Sequence, residues 1–415
     1  MKILLYIGHH KVGSTSLQAY FSQNWLALAQ AGILYPMVEA EGLSDVLQRG
    51  LREADTPELP KINIREPHNA LAFRMMTSIT KKPMPPYHRQ MPSLDQMLKT
   101  IRAQVRMLDP DTVVLCSEVM ANLGPLNPKL ITTLKNLFPK AEFEIYCSLR
   151  RPDQYLASWH GQRLKFGHRI DPLSKGGALA YRKGIHFDYL AMLRPWIEIF
   201  PEARVHLRNY ADVLAAGGSV EDFTAEVSTV FPTDLPLPAR TNPSLAYATY
   251  EIQRRGNMRL DRKGQIALRG DLLRLSAQGA LPANAQVELF GAETRAQLAE
   301  AFAPIAEGLA TLTGGGAFFP DLDQITQVAP IPEDEATSAA LQLLKNQRES
   351  TPETRHVLKT YDAPLPDPAP PRSPATKRKA DPRLVSLPPA PDTNRLRHLT
   401  QKGRAFLHRL QRKLR

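Results

Sequence analysis

Apolar residues recur in two rhythms along this chain, and their alternation predicts a sheet interleaved with helices. The runs Ile3-Leu4-Leu5-Tyr6-Ile7 and Thr112-Val113-Val114-Leu115-Cys116 are apolar on both faces, as strands buried in a parallel sheet are. Further strands are expected at Gly32 to Pro36, at Glu142 to Leu149, where apolar and polar residues alternate, and at Arg204 to Tyr210. Helical spacing marks Leu17 to Gln30, His68 to Ile79, Met97 to Leu108 and Asp188 to Phe200. The order predicts an α/β fold in three layers, a central parallel sheet with helices on both faces. Residues 261–325 read as largely helical and are expected to pack on that body, whereas Glu39 to Pro92 is mostly irregular.

Beyond Pro330 the pattern changes, and Pro364 to Pro374 holds six prolines in eleven residues, a composition that buries no core. Three parts are therefore expected: a folded domain over 1–330, a Pro-rich linker over 331–392 and a basic amphipathic helix over 393–415. Leu396, Leu399, Phe406, Leu407, Leu410 and Leu414 supply the apolar side of that helix. The 415 residues carry a net charge of +12, and residues 376–415 hold 12 Lys and Arg against two Asp, so ten of those charges belong to the tail. Such a tail suits an anionic membrane surface, an acidic partner or nucleic acid, and the remainder is nearly neutral. No stretch approaches the roughly 20 apolar residues that span a bilayer, and the first apolar run is too short for a secretory leader. A cytoplasmic protein, peripheral at most on the inner membrane surface, is expected. The two cysteines, Cys116 and Cys147, lack metal-site spacing and read as buried thiols.

The chemistry concentrates after the first strand, where Gly8 to Ser16 reads Gly-His-His-Lys-Val-Gly-Ser-Thr-Ser. Against the phosphate-loop pattern G-x-x-x-x-G-K-[ST], both glycines and the closing hydroxyl are in register, but Ser14 holds the lysine position and the cation has moved to Lys11. The fold is accordingly expected to be of P-loop type. Backbone N–H groups from Gly13 to Ser16, the helix dipole and the Ser14, Thr15 and Ser16 hydroxyls suit a phosphate. Lys11 suits the oxygen that bridges that phosphate to a transferred group. A strand-to-helix turn without ligand explains the loop alone. A second segment follows the Glu142 to Leu149 strand: Arg150-Arg151-Pro152 opens a helix, and Ser158 lies eight residues after Arg150. An arginine fork and a serine early in a helix suit another phosphate, although a solvated turn is the plainer reading. Pro152 fits the first helical turn.

Together these segments resemble the sulfotransferases that use 3′-phosphoadenosine 5′-phosphosulfate (PAPS), whose loop reads Lys-[Ser/Thr]-Gly-[Ser/Thr]-Thr. Val12 departs from that pattern. The resemblance extends over residues 1–260 through Gly32-Ile33-Leu34-Tyr35-Pro36, Arg208-Asn209-Tyr210 and Asn242-Pro243-Ser244-Leu245, where a helix cap is the plainer reading of Ser244. It implies PAPS as co-substrate, with Gly13, Ser14, Thr15 and Ser16 on the 5′-phosphate and Arg150 and Ser158 on the 3′-phosphate. It implies Lys11 at the leaving oxygen, no metal, and an acceptor hydroxyl or amine, a glycan being weakly preferred. Glu118, at the end of the Thr112 to Cys116 strand, occupies the crevice position of open α/β sheets and is the leading general base, unless it only caps a helix or holds Lys11. His10 and His9 beside the loop compete with it, as does His68, whose plainer reading is a surface residue. A P-loop kinase or NTPase and a non-catalytic nucleotide binder with a membrane- or nucleic-acid-binding tail are the alternatives. The former is disfavoured by Ser14 in the lysine position.

Overall fold

The buried apolar run after Met1 forms β1 (Lys2–Tyr6), the middle strand of a five-stranded sheet. The computed structural model describes residues 1–51, 60–88, 90–238, 244–347 and 349–365. After β1 come α1 (Ser14–Gln23), β2 (Ile33–Leu34), α2 (Pro67–Thr80), β3 (Thr112–Cys116), β4 (Glu142–Leu149), α3 (Pro152–Lys165), α4 (Tyr189–Ile199), β5 (Arg204–Asn209) and α5 (Ser219–Glu226). The strand order is β2-β3-β1-β4-β5, with every pair parallel.

Aromatic side chains tie helices to both faces of this sheet. Tyr6 and Tyr146 stack at 5.6 Å, and Phe223 of α5 meets Tyr146 at 5.1 Å and Phe21 of α1 at 5.7 Å. From the opposite side of β4, Phe143 packs at 4.5 Å against Phe200, which closes α4. Alternating strand residues point to opposite faces, so the odd-numbered Phe143 and the even-numbered Tyr146 serve different layers.

The connections leaving β1 and β4 diverge, because β1 leads to β2 on one side and β4 leads to β5 on the other. Adjacent strands whose connections part in this way leave a crevice beyond their carboxyl ends, where open α/β sheets bind ligands. Here the two flanking loops are 7–13 and 150–151.

The expected single helix over Leu17 to Gln30 is broken into α1 and a second helix, Trp25–Gln30. The break falls at Asn24, whose side-chain amide donates to Tyr20 O at 3.0 Å and to Pro236 O at 3.0 Å. The helices expected near His68 and Met97 form as α2 and as Leu94–Leu108. Within the irregular interval, Ala40–Leu51 is a further helix.

The C-terminal part contributes α6 (Tyr250–Arg259), α7 (Arg262–Ala277), α8 (Ala292–Leu312), α9 (Glu333–Asn346) and α10 (Pro352–Lys359). Buried ion pairs join its early portion to the start of α3. Arg151 holds Asp153 at 2.8 Å and Asp321 at 2.7 Å, while Arg295 holds Glu288 at 2.9 Å and approaches Asp153 at 3.6 Å. The first stretch of the expected linker, 331–365, is instead folded, since the compact unit runs from Met1 to Leu365. Its anchor is Asp271, fully buried on α7, which accepts from Thr351 N at 2.8 Å, Thr351 Oγ1 at 2.8 Å and Thr354 Oγ1 at 2.5 Å. The rest of the linker and the basic amphipathic helix lie outside the described residues. Among the described residues no helix is long and apolar enough to cross a membrane.

Replacing Asp271 with Ala strands three donors and should cost about 3 kcal/mol, read as a lower urea midpoint at unchanged slope. A midpoint equal to that of the native chain would show that residues 351–354 are not held this way.

Candidate functional site

The loop after β1 continues the pairing with β4: Ile7 N donates to Tyr146 O at 3.1 Å and His9 N to Ser148 O at 3.3 Å. Gly8 crosses directly over the Tyr6 ring, where a Cβ would lie 2.6 Å from an aromatic carbon. Gly13 has φ 85°, and a Cβ there would lie 1.8 Å from Ser219 Oγ, so no other residue fits. Lys11 also sits in the left-handed region, at φ 63°, which costs a residue with a side chain of order 1 kcal/mol. Ser219, the first residue of α5, donates to Val12 O at 3.0 Å and so braces the loop from below.

Gly13 caps α1, and the N–H groups of Ser14 and Thr15 in its first turn have no intrahelical acceptor. Ser16 N is bonded back to Gly13 O at 3.0 Å. The three hydroxyls differ in setting: Ser14 is buried and bonds Glu118, Thr15 is half-buried, and Ser16 is exposed.

Lys11, Arg150 and Ser158 line one cavity of about 140 Å³, together with residues of α3 and the Ser244 to Tyr250 stretch. Ser158, Gly161, Gln162 and Lys165 form its α3 wall, at the spacing of one helix face. Lys11 Nζ reaches Gln162 Oε1 at 3.4 Å. Arg150 lies over the Tyr210 ring at 5.5 Å, and its carbonyl accepts from Tyr189 Oη at 2.8 Å. The neighbouring Arg151 has no part in the cavity, being committed to the buried ion pairs. Gly161 is required because a Cβ would lie 2.1 Å from Tyr250 Oη, which donates to Ala157 O at 3.2 Å. Ser244 does not cap a helix: α6 begins at Tyr250 behind Thr249, and Ser244 instead reaches the cavity wall.

Burial lowers the Lys11 ammonium to about 8; Lys165 and then Arg150 push the same way, and Glu118 opposes them. A larger groove of about 880 Å³ lies at the opposite end of the sheet, among Lys2, Phe143, Glu144 and Phe200. Strand polarity makes the smaller cavity the candidate site, because it lies beyond the carboxyl ends of β1 and β4.

Glu118 stands at the end of β3, and its carboxylate accepts from Gln18 Nε2 at 3.1 Å, Asn69 Nδ2 at 3.2 Å and Ser14. Burial raises its pKa and these hydrogen bonds only partly offset the effect. Asn69 Nδ2 also reaches Glu66 at 3.0 Å, whose carboxyl is raised by burial and then by Glu118, with Arg65 opposing. Gln18, Asn69 and Ser219 had no signal in the sequence, since each is a lone polar residue on a separate helix.

The histidines divide. His10 is half-buried 4.9 Å from the Trp159 ring, and burial with the Lys11 charge lowers it to about 4, so it is neutral at pH 7. His9 is buried, stacks on Tyr155 at 3.7 Å and donates from Nε2 to Ile185 O at 2.9 Å. His68 is buried rather than on the surface: Nε2 donates to Pro36 O at 3.0 Å and Nδ1 accepts from Cys116 N at 3.1 Å. Both of its ring nitrogens serve the framework between β2 and β3. Among the described residues no group of three His, Cys, Asp or Glu is placed to hold a metal ion.

No family model matches the chain, and no solved structure matches it. An uncharacterized protein of Archaeoglobus fulgidus is similar, with 29% identity over 150 residues, which is 36% of this chain and 39% of that protein. The chain therefore spans well under half the length of that relative.

Proposed function

We propose that this protein is a P-loop-type sulfotransferase that moves a sulfuryl group from PAPS to a hydroxyl or amine of an acceptor, a glycan being the preferred class. The observation that carries this reading is the meeting of Lys11 with Arg150 and Ser158, from two segments far apart in the chain, around one cavity. Arg150 with Ser158 holds the 3′-phosphate in the cavity, and the amides of Ser14 and Thr15 with Gly13, which follow Lys11 in the loop but do not line the cavity, hold the 5′-phosphate. At 140 Å³ the cavity is smaller than the roughly 300–1,000 Å³ of small-molecule sites, so it takes the phosphate-bearing portion and leaves the base towards Leu245 and Tyr247.

Sulfuryl transfer is a displacement at sulfur in which the acceptor oxygen or nitrogen bonds to sulfur as the bridging oxygen leaves with its electron pair. Lys11 neutralises the charge gathering on that oxygen. Glu118, raised by burial towards the working pH, takes the acceptor proton, and His10 is the second candidate for that task. Ser14, Gln18 and Asn69 fix the orientation of the Glu118 carboxylate. The protein is expected to work in the cytoplasm, and its basic tail to meet an anionic surface or acidic partner.

Calorimetric titration should show 3′-phosphoadenosine 5′-phosphate binding about tenfold or more tighter than 5′-AMP, as a charged hydrogen-bonding pair provides. Arg150→Ala should erase the difference. Equal affinity for the two ligands in the native protein would overturn the assignment of Arg150 and Ser158.

Affinity for the same ligand should also depend on pH through Lys11. Its pKa in the free protein is lowered to about 8, so the ammonium is present below that value and lost above it. Binding should weaken as pH rises through about 8 and then level off, and Lys11→Met should flatten the profile. A native profile that is flat from pH 7 to 9 would remove Lys11 from the phosphate site.

A further inference from the structure

We propose that the acceptor carries negative charges of its own and lies along a cationic strip formed by Lys165, Arg269, Arg262 and Arg163, which leaves the cavity at its Lys11 end. This inference rests on the sulfuryl-transfer reading and names the acceptor class for the same site. Its starting point is the α3 wall: Gln162 touches Lys11, and Lys165 follows within one turn while still lining the cavity. The reacting end of the donor is thus the end from which the strip departs, and an acceptor has to approach there.

From Lys165 the positive charges continue without a break. Arg269 donates to Lys165 O at 2.7 Å, Arg262 donates to Phe166 O at 2.6 Å and packs beside Gly167, and Arg163 reaches His168 Nδ1 at 3.2 Å. The neighbouring Arg169 uses Nε on Asn257 O at 3.2 Å. Among the described residues none of Arg163, Arg169, Arg262 and Arg269 is ion-paired with a carboxylate, in contrast to the arginines at 151, 208, 254, 255 and 295. Asp261 lies next to Arg262, but its carboxylate caps α7 through Gly264 N at 2.8 Å.

Capping the last carbonyls of α3 accounts for one N–H of Arg262 and one of Arg269. It does not account for gathering the cations beside one another. Arg269 is lowered by burial and then by Arg262, Lys165 by burial and then by Arg269, and His168 by burial and then by Arg163 and Arg262. Like charges held together in this way are relieved by an anionic partner, and planar guanidinium forks match carboxylate, sulfate and phosphate groups. Arg262, His168 and Arg169 are exposed, so the strip is open to a ligand longer than the cavity.

The test uses the full chain, saturated with 3′-phosphoadenosine 5′-phosphate, and three probes: a galacturonate decamer, phosphatidylglycerol vesicles and a neutral dextran of similar length. The compared variant is Arg262→Gln with Arg269→Gln, which keeps an N–H donor for the α3 carbonyls and removes two charges. The tail is identical in both proteins, so the difference reads the strip. The decamer is expected to bind the native protein, dextran is not, and the variant should bind the decamer at least tenfold more weakly with nucleotide affinity within twofold of native. Loss of vesicle binding in place of decamer binding would assign the same anionic chemistry to a lipid headgroup. Unchanged binding of both anionic probes in the variant, or dextran binding as tightly as the decamer, would overturn the proposal. Should the native protein bind no nucleotide, the transfer reading fails by itself, and the strip is judged with the anionic probes alone.

Discussion

The parallel pairing of β1 with β4 is the constraint on which the site depends. It sets Tyr6 beside Tyr146 and continues past the strand ends through the amides of Ile7 and His9. That extension carries the 8–13 loop alongside Arg150, although about 140 residues separate them in the chain. The divergence of the two connections then opens the crevice that both loops line. A slip of one residue in this register would turn Tyr6 away from the aromatic layer and move the loop off its Ser219 brace.

Around that crevice the chain separates structural charge from chemical charge. Arg150 and Arg151 are adjacent, yet Arg151 is buried among carboxylates while Arg150 lines the cavity. Removing one partner of such a pair leaves an uncompensated buried charge, so the pairs hold their residues in place. Here the geometry they fix is the first turn of α3, whose later residues form the cavity wall. Glu118 and Glu66 form a second carboxylate cluster, with Asn69 held between them. The Lys11 ammonium is thus opposed by Lys165 and Arg150 and favoured by Glu118.

Much of this was legible in the sequence, for physical reasons that can be named. Strands buried on both faces announce themselves as apolar runs, so β1 and β3 stand out, and Gly13 marks its loop because only glycine fits there. Arg150 and Ser158 were readable as a pair through the resemblance to PAPS-dependent sulfotransferases, which carry an arginine at a strand end and a serine eight residues later. The supports were not readable: Ser219, Asn69 and Gly161 act through contacts with distant segments, and such contacts have no periodicity. His68 looked like a surface residue because its two acceptor and donor partners, Cys116 N and Pro36 O, come from β3 and the end of β2. The folding of 331–365 was hidden for a similar reason, since its hold on the body runs through distant partners: the buried Asp271 carboxylate some 80 residues earlier, strand pairing with Val287 and Glu288, and the burial of Ala340, Leu344 and Val357.

One nucleotide held at both of its phosphates by these two segments would be seen in a crystal structure of the complex with 3′-phosphoadenosine 5′-phosphate. The 5′-phosphate is expected within hydrogen-bonding distance of the Ser14 and Thr15 amides and the 3′-phosphate on Arg150 and Ser158. A nucleotide that touches only one of these segments, or that occupies the groove at the opposite end of the sheet, would contradict this arrangement.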